Sequence, residues 1–492
     1  MEEATFADLQ AAMAAGRTSS VGLVKSYLAR IHALDPNLHS VLEVNADAAH
    51  LAAELDAERK AGKVRGPLHG LPILLKDNID TADRMHTTAG SWALYDAPAP
   101  KRDAFVAARL REAGAVILGK ANLSEWANFR STHSISGWTG RGGLTHNPYA
   151  LDRNCSGSSS GSGAAVSANL CAGAVGSETD GSIVSPASIC GVVGLKPTLG
   201  LLSRAGIIPI AHSQDTAGPM TRTVRDAALM LGAMAGVDAN DAATAEAKGR
   251  ILGDYTQGLV ADGLKGARLG IVKNYMNQHS GLDAVMTEAF ATLRRQGATL
   301  EEVELPTGYE NDELTVLLYE FKTDLTAYFQ KRGGAVKNLS DLIAYDLAHK
   351  NKEMRFFGQE LVEQANAKGP LTDEAYLKAR ANCLRLTRAE GMDAVMDKNS
   401  LDALISPTGM PAWITDPVFG EYTGFSSSTP AAVAGYPHLT VPAGFTGGLP
   451  VSLSFMGRAW TEATLLKFGY AFEQATKARR VPRFLPSLSV RM

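Results

Sequence analysis

The stretch DAFVAARLREAGAVILGKANLSEW (residues 103–126) contains the signals for a helix, a helix end and a strand in immediate succession. Its first part predicts a helix that stops at Gly114, because glycine is the residue that most readily ends a helix. The following AVILGK (residues 115–120) is a short apolar run typical of a buried strand. A helix that leads directly into a buried strand is the repeating unit of α/β proteins.

The same unit recurs along the chain. It is found in DAVMTEAFATLRRQGATLEEVEL (residues 283–305), which follows the strand-like ARLGIVKNY (residues 267–275), and again in residues 379–408. Helices of ten or more residues that alternate with strands predict an α/β sheet covered by helices on both faces. Because no linker or repeat divides the 492 residues, we expect a single large domain over residues 1–492, with a helical addition at about residues 301–395.

The overall composition excludes several classes of function. The net charge of −3 provides no basic field for nucleic acid, and no apolar run is long enough to span a membrane. Four cysteines without a C-x-x-C pair and eleven histidines without H-E-x-x-H give neither a disulfide framework nor a metal signature. We therefore expect no metal, cofactor, nucleic-acid partner or membrane contact. The location expected is cytoplasmic, or periplasmic or secreted if a signal peptide has been removed.

Lys76 is the first residue that could carry chemistry. It directly follows the apolar residues 73–75 in GPLHGLPILLKDNID (residues 66–80), and burying an ammonium group is costly. One interpretation is that Lys76 ends the strand and extends its amine to water. The other is a buried lysine with a lowered pKa that is neutral at working pH and can accept a proton.

The second candidate is RNCSGSSSGSGAAV (residues 153–166), which is rich in serine and glycine. A linker is disfavoured, because the small apolar sequence that follows predicts a closely packed element. The stretch also contains a formal G-x-S-x-G pattern, which in an α/β-hydrolase would make Ser159 the nucleophile, with Asp402 and His438 as partners. That pattern arises easily by chance in a segment so full of serine and glycine.

The third candidate is GSETDGSIVSPASICGVVGLKP (residues 176–197). A turn at residues 179–182 would place a serine hydroxyl beside a row of backbone N–H donors, which is the arrangement that acyl transfer needs. The same turn could equally be a tight connection between two buried elements. No histidine lies between residues 154 and 190, so a base for any of these serines must come from elsewhere, and lysine is a candidate.

Together these three stretches resemble the amidase signature family, in order and in detail. HGLPILLKDNI, SGSSSGSG and GSETDGSIVSP are similar to its lysine, paired-serine and nucleophile motifs, and the resemblance continues through GLKPT and SQDTAGPMTRTV to near the C-terminus. The resemblance implies the fold of that family, which is a mixed β-sheet core covered by helices on both faces, with the signature core at about residues 65–220. It also implies an amide hydrolase that needs no cofactor.

The resemblance further implies the role of each motif residue. Lys76 matches the base of a Ser–cis-Ser–Lys triad, Ser158 the serine that follows a cis peptide bond, and Ser182 the nucleophile. The resemblance also implies that Gly157 and Ser159 belong to the supporting turn. It implies that an oxyanion hole is formed by the backbone N–H groups of Thr179, Asp180, Gly181 and Ser182.

Two positions depart from the wider family pattern. Asp180 replaces a glycine, and Val184 replaces an arginine that many amidases and the glutamine-handling subunit of amidotransferases carry. ETDGSIV and NLSEWANFR instead resemble the bacterial peptide amidase branch, which implies removal of the C-terminal amide of peptide amides. We therefore expect a small-molecule or short peptide amide as substrate and a monomer. The alternatives are a broader aliphatic or aryl amidase, a subunit of an amidotransferase and, more remotely, the Ser159 esterase.

Tyr319, Phe321 and Phe357 lie in the helical addition. They would either line a channel for the peptide or belong to a packed core.

Overall fold

The computed structural model describes residues 2–488. Its largest element is an eleven-stranded sheet in the order β1-β3-β2-β6-β8-β7-β12-β13-β11-β9-β10, and β4 and β5 form a separate hairpin. The strands are β1 (Val41–Val44), β2 (Pro72–Lys76), β3 (Val116–Ala121), β4 (Trp138–Thr139), β5 (Gly143–Leu144), β6 (Gly173–Glu178), β7 (Val193–Lys196), β8 (Thr216–Thr221), β9 (Arg268–Val272), β10 (Thr299–Val303), β11 (Ala403–Pro407), β12 (His438–Thr446) and β13 (Leu449–Met456).

Helices pack against both faces of this sheet. They are α1 (Phe6–Ala14), α2 (Ser20–Leu34), α3 (Ala48–Lys60), α4 (Phe105–Glu112), α5 (Ser160–Ser167), α6 (Val184–Ile189), α7 (Val224–Met234), α8 (Ser280–Arg295), α9 (Glu310–Arg332), α10 (Leu339–Ala348), α11 (Lys350–Glu353), α12 (Glu360–Asn366), α13 (Glu374–Leu384), α14 (Asp393–Lys398), α15 (Thr429–Ala434) and α16 (Glu462–Thr476). The α/β architecture predicted from the sequence is confirmed.

The helix-then-strand units are where the sequence pattern places them. In the opening stretch, α4 ends before Gly114, whose positive φ of 83° reverses the chain into β3. In the second unit, Gly297 has a φ of 91° between α8 and β10. The region of the expected helical addition begins with β10, and its helices run from α9 onward.

The sheet is mixed, and its parallel part is buried most deeply. β2 runs parallel to both of its neighbours, β3 and β6, and every residue of β2 is buried. A central parallel strand has both faces covered, which explains why PILL (residues 72–75) is a continuous apolar run and not an alternating one. β8, β7, β12 and β13 continue the sheet with antiparallel pairings.

The serine-rich stretch becomes the start of a buried helix and not a linker. All eight residues of α5 are buried, and α5 packs against β2, β3 and β6. A Cβ atom on Gly161 would lie 2.3 Å from the carbonyl oxygen of Ser40, so only glycine permits this close approach. The glycines of the stretch therefore allow the backbone of α5 to contact the sheet directly.

Candidate active site

Parallel pairing brings two of the predicted motifs to the same edge of the sheet. β2 and β6 are neighbours in register, with Leu75 opposite Val175, and parallel strands end at the same edge. Lys76 is the last residue of β2, and the turn at residues 179–182 directly follows β6. The beginning of α5 lies between them, because the Ser159 N–H donates to the Ser182 carbonyl oxygen at 3.0 Å.

The side chain of Lys76 is completely buried among hydroxyl and carbonyl oxygens. Its Nζ lies 2.8 Å from Ser158 Oγ, 3.0 Å from Ser177 O and 3.0 Å from Ser177 Oγ. The interpretation in which Lys76 extends to water is therefore wrong. Burial lowers the pKa of Lys76 to about 7, although the negative charges of Asp215 and Glu178 partly oppose that shift.

The three contacts of Nζ fit a neutral amine, which has two N–H donors and one lone pair. The carbonyl oxygen of Ser177 can only accept a hydrogen bond. Ser177 Oγ already accepts one from Asn78 Nδ2 at 2.8 Å. If the two N–H groups of the neutral amine are directed at Ser177 O and Ser177 Oγ, its lone pair faces the hydroxyl of Ser158.

Ser158 follows a cis peptide bond, as the family resemblance implies, and this bond lies between Gly157 and Ser158. Ser159, the next residue, has a different environment. Its hydroxyl donates to the Ser177 carbonyl oxygen at 3.1 Å and accepts from the Ser177 N–H at 3.2 Å. Ser159 therefore ties the serine-rich turn to the end of β6.

The turn after β6 leaves a row of backbone donors unused. Within residues 2–488, the N–H groups of Thr179, Asp180, Gly181 and Ser182 donate no hydrogen bond. Gly181 has a φ of 75°, which brings successive N–H groups to one side of the chain. The hydroxyl of Ser182 is likewise not hydrogen-bonded to any described residue, and such a turn can hold an oxyanion next to a hydroxyl.

Side chains to which the sequence motifs assign no role hold this turn in place. The Glu178 carboxylate accepts from the N–H groups of Ile183 and Val184 at 2.7 and 3.0 Å. The Thr179 hydroxyl donates to Asp215 at 2.6 Å, and burial raises the pKa of Asp215 to about 7. Asp215 belongs to SQDTAGP, so its motif was visible in the sequence, but its contact with the turn depends on the fold.

Two cavities adjoin this polar cluster. One, of about 180 Å³, is lined by Ser156, Ser185, Met410 and Phe425 among others, and borders the turns that carry Ser158 and Ser182. The other, of about 310 Å³, is lined on one side by Ser177, which contacts Lys76. Ser177, one of the hydroxyl partners of Lys76, therefore borders space that small molecules can enter.

The structure does not bring Ser159, Asp402 and His438 together as a hydrogen-bonded esterase triad. His438 is fully buried, and its Nε2 lies 2.5 Å from Ser454 Oγ. The Asp402 carboxylate accepts from the Arg268 N–H at 2.9 Å. Among the described residues, neither side chain forms a hydrogen bond with Ser159, whose hydroxyl is engaged by Ser177.

The three aromatic residues of the helical region belong to packed clusters. Phe321 is fully buried against Phe129, at a ring separation of 5.1 Å, and Phe357 packs edge-on against Trp138 at the same separation. The Tyr319 hydroxyl lies 3.1 Å from Asp373. These contacts favour the packed-core interpretation over a peptide channel.

One group of side chains in residues 2–488 has the composition of a metal site, namely His212, Glu320 and Asp324. Its atoms are already engaged by protein groups. His212 Nδ1 lies 2.8 Å from Asp324 Oδ2, and Glu320 accepts from Ser213 N and from the Tyr376 hydroxyl at 2.9 and 2.7 Å. These contacts describe a histidine–carboxylate pair that joins α9 to the loop before β8.

The family model "Amidase" matches residues 22–466. The chain belongs to the amidase family. A "Probable amidase" of Arabidopsis thaliana is 42% identical over 99% of this chain and 92% of its own length. The family membership makes the protein an amide hydrolase, as the resemblance implied.

The solved structure of native peptide amidase from Stenotrophomonas maltophilia is similar over almost the whole chain. It has a TM-score of 0.94 and 52% identity, covering 98% of this chain and 99% of that one. A glutamyl-tRNA(Gln) amidotransferase subunit from Halorhodospira halophila is 37% identical over 97% of this chain and 98% of its own.

No helix within residues 2–488 is both long and apolar enough to cross a membrane.

Proposed function

We propose that this amidase removes the C-terminal amide from peptide amides and releases ammonia. The observation that carries the proposal is the likeness to a peptide amidase at 52% identity over 98% of the chain. Asp180 and Val184, the two departures from the wider family pattern, lie in the turn and helix that surround Ser182 and support the same choice. The proposed reaction requires no partner subunit, no nucleic acid and no membrane.

In this proposal Lys76, Ser158 and Ser182 form one proton relay. Neutral Lys76 accepts the proton of Ser158 while Ser158 takes the proton of Ser182, and Ser182 Oγ bonds to the amide carbon. The carbonyl oxygen becomes an oxyanion held by the free N–H groups at residues 179–182. When the intermediate collapses, the C–N bond breaks and the relay returns its proton to the departing nitrogen, which leaves as ammonia.

The second half of the reaction uses the same groups in reverse. Water gives a proton to the relay as its oxygen attacks the ester formed by Ser182, and the relay passes a proton back to Ser182 Oγ as the ester bond breaks and the peptide acid is released. Proton transfer of this kind contributes roughly 10²–10⁴-fold in rate. Each oxyanion donor contributes roughly 10²–10³-fold.

The test is ammonia release from a panel of peptide amides, compared with free glutamine, aliphatic and aryl amides, and esters. We expect the highest kcat/KM on peptide amides, with internal peptide bonds left intact. Ser182→Ala should abolish the release, and Ser159→Ala should retain most of it, because the Ser159 hydroxyl is hydrogen-bonded to the backbone of Ser177. A higher kcat/KM on simple amides would overturn the substrate assignment, and an active Ser182→Ala variant would overturn the nucleophile.

The likeness to the amidotransferase subunit supports a second candidate, a glutamine-hydrolysing component of a complex. This candidate predicts stable copurification with partner proteins and a preference for free glutamine. A chain that purifies alone and hydrolyses peptide amides would exclude it.

A further inference from the structure

A bridge of side chains connects α9 to the turn that follows β6. The Nε2 group of Gln214 donates to the Thr179 carbonyl oxygen at 3.3 Å and to Glu313 Oε1 at 2.9 Å. Both residues are buried, with exposures of 2% for Gln214 and 7% for Glu313. Gln214 has two N–H hydrogens on this nitrogen, so it can hold both acceptors at the same time.

This bridge fixes the orientation of one peptide plane. A trans peptide unit is planar, and its C=O and N–H groups point in opposite directions. Because Gln214 holds the Thr179 carbonyl from one side, the Asp180 N–H is directed to the other side. That N–H is one of the unused donors of the turn.

Asp180 connects the same bridge back to the turn. Its Oδ2 accepts from the Thr429 hydroxyl at 2.7 Å, whereas no hydroxyl or N–H group in residues 2–488 donates to its buried Oδ1. The carboxyl of Glu313 and the hydroxyl of Ser428 also lie beside the Asp180 carboxyl, and Gln214 joins Glu313 to the neighbouring Thr179. Two carboxyl groups this close are stable when they share one proton.

We propose that Gln214 and Glu313 are positioning residues for the oxyanion turn, and that Glu313 performs this task while it holds the proton shared with Asp180. The proposal rests on the proposed function, in which the Asp180 N–H binds the oxyanion. It gives α9 a role in the reaction without any contact to substrate. It also explains how a carboxyl group is accommodated where the wider family has glycine.

The rate should depend on pH, because the Asp180–Glu313 pair can lose the proton that it shares. Burial and the charge of Asp180 raise the pKa of Glu313 well above its usual range, which favours the form of the pair that holds one proton. Raising the pH removes that proton, places a second negative charge beside the turn and disfavours an oxyanion there. The titratable groups that face the pair are Glu178, Glu310, Tyr275, Tyr309, Lys196 and Cys383.

The first test is Gln214→Ala, with kcat and KM measured on a peptide amide. We expect kcat to fall roughly 10-fold, which is less than the loss of an oxyanion donor outright, with KM little changed. Gln359→Ala is the matched control, since Gln359 is also buried and also donates to a carbonyl oxygen, that of Ile343, in the helical region. A wild-type kcat in Gln214→Ala would overturn the positioning role.

The second test is the pair Glu313→Gln and Glu313→Ala. Glutamine reproduces the protonated acid, with one acceptor for Gln214 and one donor for Asp180, but it does not titrate. We expect Glu313→Gln to have a kcat near that of the wild type at neutral pH and to show no fall in rate at alkaline pH. Glu313→Ala should have a lower kcat than the wild type. Since Lys196 remains in both variants, its titration cannot produce this difference.

The shared proton would be overturned if the wild type showed no fall in rate at alkaline pH. It would also be overturned if Glu313→Gln showed the same fall as the wild type. This outcome differs from failure of the proposed function, which would appear as activity that survives in Ser182→Ala or as no release of ammonia from peptide amides by the wild type.

Discussion

Lys76 and Lys196 occupy similar places in the same sheet, yet their surroundings differ. Each is the last residue of a buried strand, and neither side chain is exposed. Burial lowers the pKa of Lys76 to about 7 and that of Lys196 to about 8. The nitrogen of Lys76 contacts hydroxyl groups, whereas that of Lys196 contacts the Pro197 carbonyl oxygen at 3.3 Å.

The comparison shows that burial alone does not make a lysine useful as a base. Around Lys196, the charges of Glu178 and Glu462 favour the ammonium form, and His438 lies directly opposite on β12. Burial and the charge of Lys196 lower the pKa of His438 to about 3, so His438 stays neutral. Lys76 differs because a serine hydroxyl lies within proton-transfer distance of its nitrogen.

The largest expected effect is a difference in activity between the variants of the two lysines. Lys76→Met should lower kcat roughly 10²–10⁴-fold, because it removes the proposed proton acceptor of the relay. Lys196→Met should keep most of the activity, because Lys196 has no hydroxyl partner among residues 2–488. Ammonia release from a peptide amide measures both, and equal losses in the two variants would contradict the comparison.

The next effect is the pH dependence of the wild type. Lys76 must be neutral to accept a proton, so activity should fall as pH drops below about 7, approaching a tenfold loss per pH unit. The pH at which activity falls should be the same in Lys196→Met. If it moves in that variant, the group that titrates is not Lys76.

A smaller effect concerns stability. The pKa of Lys76 is about 7 when folded and near 10.5 when unfolded, so the unfolded chain binds more protons between these values and stability rises with pH across that window. Lys76→Met should therefore increase the free energy of unfolding by roughly 1–3 kcal/mol at pH 7, after allowing for lost hydrogen bonds. Urea unfolding at pH 7 and at pH 10 should show the gain shrinking as pH rises, and a destabilised variant at pH 7 would contradict it.

The smallest effect is expected at His438. Replacing it in His438→Asn should leave kcat per folded molecule close to wild type, because its Nε2 contacts Ser454 and not the candidate nucleophile. A measured amount of folded protein, from near-UV circular dichroism, separates lost activity from lost folding. A large fall in kcat with folding intact would revive the role of His438 as a base.

Local patterns in the sequence were sufficient to predict the elements of the fold. The unit at residues 103–126 predicts α4, the turn at Gly114 and β3, and the apolar run at residues 71–75 predicts β2. These predictions succeed because helix ends and buried strands depend on neighbouring residues. The family motifs added Lys76, Ser158 and Ser182 as candidates, with their roles still to be tested.

The contacts that support the candidate site could not be predicted from the sequence. Gln214, Asp215 and Glu313 contact the turn after β6 from a separate loop and from α9, and no local spacing relates them. The alternative partner His438 likewise looked plausible until its position opposite Lys196 was known.

The sequence by itself determined the order of helices and strands, the type of chemistry and the identity of its candidate residues, because motifs and periodicities are local. The tertiary structure decided which of several buried lysines has a serine hydroxyl at 2.8 Å and which serine is tied to the backbone instead. The physical reason is that the pKa of a lysine depends on how much water and charge surround it, and that environment is built from β2, β6, α5 and the loop before β8, which meet only when the chain folds.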